Sequence, residues 1–97
     1  MEITKTVEDG KLTLAVSGRL DTNTAPELED ETKLDGVSEV VFDFAGLEYV
    51  SSAGLRILLT AKKQMMASGG KMSVVNANDA VRGVFEITGC SEIFGIV

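Results

Sequence analysis

The chain predicts an α/β fold, a mostly parallel sheet opened by an antiparallel hairpin, with helices packed on the sheet. Three observations predict it. Short apolar strands alternate with helical patterns, the signature of a largely parallel sheet. An Asp-Gly turn, Asp9-Gly10, joins the first two strands, and that dipeptide favours a tight hairpin. Val40-Val41-Phe42 run on without a polar break, which suggests a central strand covered on both faces.

The elements follow in order. Ile3 to Val7 reads as a strand. After Glu8-Asp9-Gly10-Lys11 turns the chain, Leu12, Leu14 and Val16 alternate with Thr13, Ala15 and Ser17. That is period two, a strand with one buried face that Gly18 ends. Thr24 and Glu27 fit a capping box at the start of a first helix, with Pro26 in its first turn. Its acids, Glu29, Asp30 and Glu31, leave a thin apolar stripe of Ala25, Leu28 and Leu34. Val37 to Phe44 is the most apolar strand, and Ala45 to Val50 a loop or short further extended piece. Ser52 to Ser68 is the best helix. Leu55, Leu58, Leu59, Met65 and Met66 fall on one side of it, and Ser68-Gly69-Gly70 stops it with a glycine for the left-handed cap. Lys71 to Val75 is a strand. Asn78 caps a helix with Val81, Val84, Phe85 and Thr88 on one face, which closes at Gly89. Gly83 inside it costs roughly 1 kcal/mol against alanine, a cost that close packing would justify. Ile93 to Val97 reads as a last short strand. The order is β-β-α-β-α-β-α-β in a single domain over residues 1–97, the natural expectation for this length.

Composition narrows the function. The chain is 44% hydrophobic and 25% charged, with 15 acids against 9 bases and a net charge of −6. That balance argues against nucleic acid, since phosphate contacts need clustered Lys and Arg. It also disfavours an anionic membrane surface. The start has no signal-peptide pattern and no apolar run approaches the ~20 residues of a bilayer span. Cys90 is a lone cysteine, which favours a reducing compartment and reads as a small apolar residue near a turn. A cytoplasmic location is expected. The sequence has no histidine, which removes the commonest general base and the commonest metal ligand. No metal, cofactor or catalytic set suggests itself. Gly69-Gly70-Lys71 follows a helix and precedes a strand, the reverse of a phosphate-binding loop.

The most informative stretch is Glu48-Tyr49-Val50-Ser51-Ser52-Ala53-Gly54-Leu55-Arg56. Neither serine lies in a nucleophile elbow and no histidine is at hand; a Ser-Lys arrangement with Lys62, Lys63 or Lys71 is possible but the spacing does not demand it, so a hydrolase is disfavoured. One of the two caps the long helix, worth about 1 kcal/mol. The other is left over, either a small polar residue at a tight turn or an acceptor. A phosphate on it would meet the unsatisfied N–H groups of a helix start and add up to about two negative charges without refolding the domain. If the strands before Gly18-Arg19-Leu20-Asp21-Thr22 and before the serines run the same way, their loops are neighbours at one sheet edge. That edge would present Asp21, Thr22, Asn23, Ser51 and Ser52 together.

Three pieces now carry a resemblance: Gly18-Arg19-Leu20-Asp21, Val40-Val41-Phe42-Asp43-Phe44 and Tyr49-Val50-Ser51-Ser52-Ala53-Gly54-Leu55. Over essentially its whole length the chain resembles the STAS domain family, and its compact length resembles the free-standing anti-sigma factor antagonists of bacteria. The resemblance implies a protein that binds an anti-sigma factor serine kinase and so frees a sigma factor. The kinase would phosphorylate one serine at the start of the long helix, and a PP2C-type serine phosphatase would reset it. Matched backwards from Gly54-Leu55, the acceptor falls on Ser52, with Ser51 the alternative. Asp21 matches the acidic residue of the kinase-docking turn. Arg19, Asp21, Thr22, Asn23, Ser51, Ser52 and Gly54 make up the implied partner surface. The best-known members carry Asp where this chain has Ser51. A second implication is a non-phosphorylated STAS scaffold subunit of a lipid-transport or stress-signalling complex.

Overall fold

The computed structural model describes residues 1–96. Strands β1 (Glu2–Glu8) and β2 (Lys11–Leu20) pair antiparallel, with Glu8 opposite Lys11. Asp9 and Gly10 between them both take positive φ, 50° and 81°. This is the geometry of a two-residue turn whose twist suits a hairpin, and it is why Asp-Gly stands there. Strand β3 (Glu39–Val50) runs parallel to β2, and β4 (Lys71–Val75) parallel to β3, giving the sheet order β1-β2-β3-β4. Helices α1 (Ala25–Glu31), α2 (Ser52–Ser68) and α3 (Asp79–Ile87) follow β2, β3 and β4.

Only one sheet face is covered. In register across three strands, Leu12, Val40 and Met72 share one face with Leu14, Phe42 and Val74. All six are buried in the same core as Leu58, Ala61, Met65, Val81 and Phe85 of the helices. Thr13, Val41 and Ser73 lie on the opposite face, where no helix packs among the described residues. Val41 is shielded by its strand neighbours and stands outside the core. The unbroken Val40-Val41-Phe42 run therefore marks a strand covered on one face, with β-branched Val41 suited to the pleat.

Two register shifts lengthen β3. Ala15 pairs with Asp43 but Ser17 with Gly46, and Gly18 pairs with Leu47 but Arg19 with Tyr49. Each shift gives β3 one extra residue, a bulge. The inward residues then fall at Phe44, Leu47 and Val50, three apart instead of two. This is why Ala45 to Val50 does not look like strand in the sequence and why Gly18 does not end β2.

The long helix α2 packs against α1, β3, β4 and the short helix α4 (Ser91–Phe94). Its buried arc includes Gly54, Leu55, Ile57, Leu58, Ala61 and Met65, whereas Met66 points outward at 69% exposure. Gly69 closes it at φ 76°, and the Gly70 amide donates to the Met65 carbonyl at 2.7 Å. Gln64 on α2 ties down the chain after α1: its Nε2 donates to the Thr32 carbonyl, and its Oε1 accepts from the Leu34 amide. Asn78 caps α3 by accepting from the Val81 amide at 2.8 Å, and its Nδ2 donates to the Leu47 carbonyl in the bulged part of β3. Nothing lies within 4 Å of where a Gly83 side chain would stand, so close packing does not account for that glycine.

The last element differs from expectation. Ser91–Phe94 is a short helix, α4, and not a strand. Helical backbone turns Phe94 into the core, edge-on to Phe85 with ring centroids 5.3 Å apart. Beyond it, Ile96 makes one isolated parallel bridge to Val74, and Val97, the end of the expected strand, lies outside the described residues. Cys90 is buried beside the turn that precedes α4, as a small apolar residue would be.

Candidate functional site

The parallel pairing of β2 and β3 brings the turn after β2 against the start of α2. The Ser51 amide donates to the Leu20 carbonyl at 2.8 Å, so the two segments are joined through the backbone. Gly54 makes the close approach possible. A Cβ built there would lie 2.6 Å from Leu20 Cγ, 2.8 Å from Leu20 Cδ2 and 3.0 Å from Val50 Cγ2. Gly54 is itself buried. It thus seats the helix on Leu20 and offers no surface for a partner, which corrects its place among the docking residues.

The turn Asp21 to Thr24 is ordered by its own polar groups. One Asp21 carboxylate oxygen accepts the amides of Asn23 at 3.0 Å and Thr24 at 3.1 Å. The Thr24 hydroxyl donates to the Arg19 carbonyl at 2.7 Å and accepts from the Asp21 amide at 2.9 Å. Thr24 occupies the position before α1, yet its hydroxyl caps nothing there because it is already engaged backwards. The capping box expected with Glu27 is absent for that reason. The hydrogen bond from the Thr24 amide does most to hold the Asp21 carboxyl below its usual range; desolvation is the next largest effect and opposes it, and the Asn23 amide, the Thr24 hydroxyl and the Arg19 charge add to the lowering in that order. Asp21 is therefore a carboxylate at neutral pH.

The two serines separate into two roles. Ser51 has extended backbone and caps α2, its Oγ accepting the Gly54 amide at 3.5 Å, at the long end for such a bond. An Asp at this position would cap equally well. Ser52 is the first helical residue, exposed, and its hydroxyl makes no hydrogen bond among the described residues. Thr22, Asn23 and Arg19 are exposed at the same corner. Arg19 lies over the Tyr49 ring, 4.6 Å from its centroid, an exposed cation–π pair. The cross-strand pairing of Arg19 with Tyr49 depends on the second bulge, so alternation counting did not reveal Tyr49 as a member of the site.

A groove of about 280 Å³ runs from this corner between α1 and α2, lined by Thr22, Ala25, Pro26, Ala53, Arg56 and Ile57, among others. Arg56 stands outside the expected partner surface; its signal in the sequence is its spacing of four residues from Ser52. Among the described residues no group of His, Cys, Asp and Glu is arranged to hold a metal ion, and no helix is long and apolar enough to cross a membrane.

A one-sided four-stranded sheet whose β2 and β3 ends carry an ordered acidic turn and a serine-led helix defines the class. The chain belongs to the STAS domain family, whose profile matches residues 2–97. A relative from Bordetella bronchiseptica, BtrV, provisionally assigned as an anti-sigma factor antagonist, is 36% identical over 99% of this chain and 85% of its own length. The crystal structure of an anti-sigma factor antagonist from Mycobacterium paratuberculosis is 28% identical, with a TM-score of 0.86, and covers 98% of this chain and 83% of that one. The unphosphorylated anti-sigma factor antagonist SpoIIAA shares the fold at 18% identity, with a TM-score of 0.86 over 99% of this chain and 88% of its own.

Proposed function

We propose that this protein is a cytoplasmic anti-sigma factor antagonist, a binding protein and not an enzyme, switched by phosphorylation of Ser52. In this reading the corner formed by Arg19, Asp21, Thr22, Asn23 and Ser52 docks on an anti-sigma factor serine kinase, and docking releases a sigma factor. The kinase transfers phosphate to Ser52, the complex falls apart, and a PP2C-type serine phosphatase restores the free hydroxyl.

One observation carries the reading. Ser52 is an exposed hydroxyl without a hydrogen-bond partner among the described residues, at the first helical position, beside a turn rigidly joined to it through the Ser51 amide and Leu20 carbonyl. The antagonist names of the Bordetella and Mycobacterium relatives support the same direction. A phosphate at Ser52 adds up to about two negative charges to a surface that keeps its shape, and a partner that buries this corner then meets an unpaired charge.

The test is direct. The purified protein is incubated with ATP and source-cell lysate, and the peptide Leu34–Arg56 is mapped by mass spectrometry. Phosphate is expected on Ser52, and Ser52→Asp is expected to weaken capture of the anti-sigma factor at least about tenfold relative to Ser52→Ala. Phosphate on Ser51 would move the acceptor by one residue. A stoichiometric partner retained equally by Ser52→Asp, with neither serine modified, would replace this reading with that of a constitutive scaffold.

A further inference from the structure

Resting on Ser52 as the acceptor, we propose that Arg56 is the partner of the phosphate within the chain, closing over it as an ion pair on the surface of α2. Four residues separate the two, so they lie one above the other on one side of the helix. Both are exposed. Arg56 lines the α1–α2 groove together with Thr22 and Ala53, which places it on the side of α2 that faces the site's turn.

Arg56 is also the cation left over at this corner. Arg19 is stacked on Tyr49. The Asp21 carboxylate is taken up by the Asn23 and Thr24 amides. Glu29 of α1 lines the same groove, yet Arg56 takes part in no ion pair among the described residues. The planar guanidinium suits a phosphate, which it can grip with two parallel N–H donors. An acid placed four residues before a base is also the favourable order along a helix.

Position distinguishes the serines. Residue 51 is five before Arg56 and stands outside the helix with extended backbone, so it lacks the four-residue spacing that stacks residue 52 under Arg56. A phosphate on Ser52 is held; one on Ser51 is not. The consequence for the switch is that modification both adds a dianion and takes away a free cation from the docking corner.

The experiment installs phosphoserine during synthesis, at position 52 or 51, so that no kinase is needed. The second ionisation of the phosphate is followed by 31P NMR. At position 52 the midpoint is expected about 0.3 unit lower in the parent than with Arg56→Gln, with Arg56→Lys between them and the difference shrinking at high salt. At position 51 Arg56→Gln is expected to change nothing. Equal midpoints at position 52 would overturn the proposal, as would an equal response at position 51, which would make Arg56 a diffuse charge. A protein that shows the pairing but is never phosphorylated in lysate would instead overturn the assignment of Ser52 as the acceptor in the cell.

Discussion

Gly54→Ala tests how tightly the acceptor helix is seated. The new methyl would stand 2.6 Å from Leu20 Cγ and 2.8 Å from its Cδ2, well inside carbon–carbon contact. Leu20 is fully buried. Overpacking of this kind costs about 1–3 kcal/mol, while replacing Gly by Ala in a helix returns up to about 1 kcal/mol, less in the first turn. The net expectation is a loss of about 1–2 kcal/mol. For a chain of this size that is a fall of roughly 4–16 °C in Tm, read by thermal and urea unfolding. The double variant with Leu20→Ala isolates the cause. Leu20→Ala alone costs about 2–5 kcal/mol through its cavity, but in that background Gly54→Ala should be neutral or stabilising. A Gly54→Ala protein as stable as the parent would refute the packing argument, and so would a loss that persists unchanged in the Leu20→Ala background.

Four further expectations concern single side chains. Ser51→Ala should cost about 1 kcal/mol by removing the cap, whereas Ser52→Ala should stay within about 0.5 kcal/mol, both by urea unfolding. Because the folded Asp21 carboxyl lies below its ordinary pKa, its stabilisation is present above the unfolded value near 3.8 and disappears as pH falls through the folded one. The stability difference between parent and Asp21→Asn should therefore shrink as urea titrations move from pH 6 to pH 3. Gly83→Ala should raise stability by up to about 1 kcal/mol, since the added methyl meets open space. Val40→Thr should cost more than Val41→Thr, by about 1 kcal/mol or more in the same assay, because only the first buries a hydroxyl against the helices.

The hairpin, the long helix and its glycine stop were legible because each rests on local chemistry: Asp9-Gly10 prefers positive φ, Asn78 caps, and Gly69 takes the left-handed turn. The adjacency of the Asp21 turn and the serines followed from strand direction alone. What escaped the sequence depended on distant partners. Thr24 looks like a cap until the Arg19 carbonyl claims its hydroxyl. Met66 and Ile57 are both apolar, and it is the packing of α2 in the fold that buries Ile57 and leaves Met66 outside. Residues 93–96 are apolar enough for a strand, yet Phe94 finds its place against Phe85 only as part of a helical turn. Gly54 was read as part of a surface, whereas the Leu20 side chain beneath it makes it a packing residue.

The two bulges of β3 turn the segment Ala45 to Tyr49 into a counting device. With strict alternation from Phe44, Glu48 would point into the core and Leu47 outward. The two extra residues let Phe44, Leu47 and Val50 all face inward and deliver Ser51 to the Leu20 carbonyl in phase. A stretch that reads like a tolerant surface loop is thus intolerant of length change. Removing one residue from it would rotate everything downstream by half a strand repeat, so exposed positions such as Ala45 and Glu48 are free to vary while insertions and deletions are not.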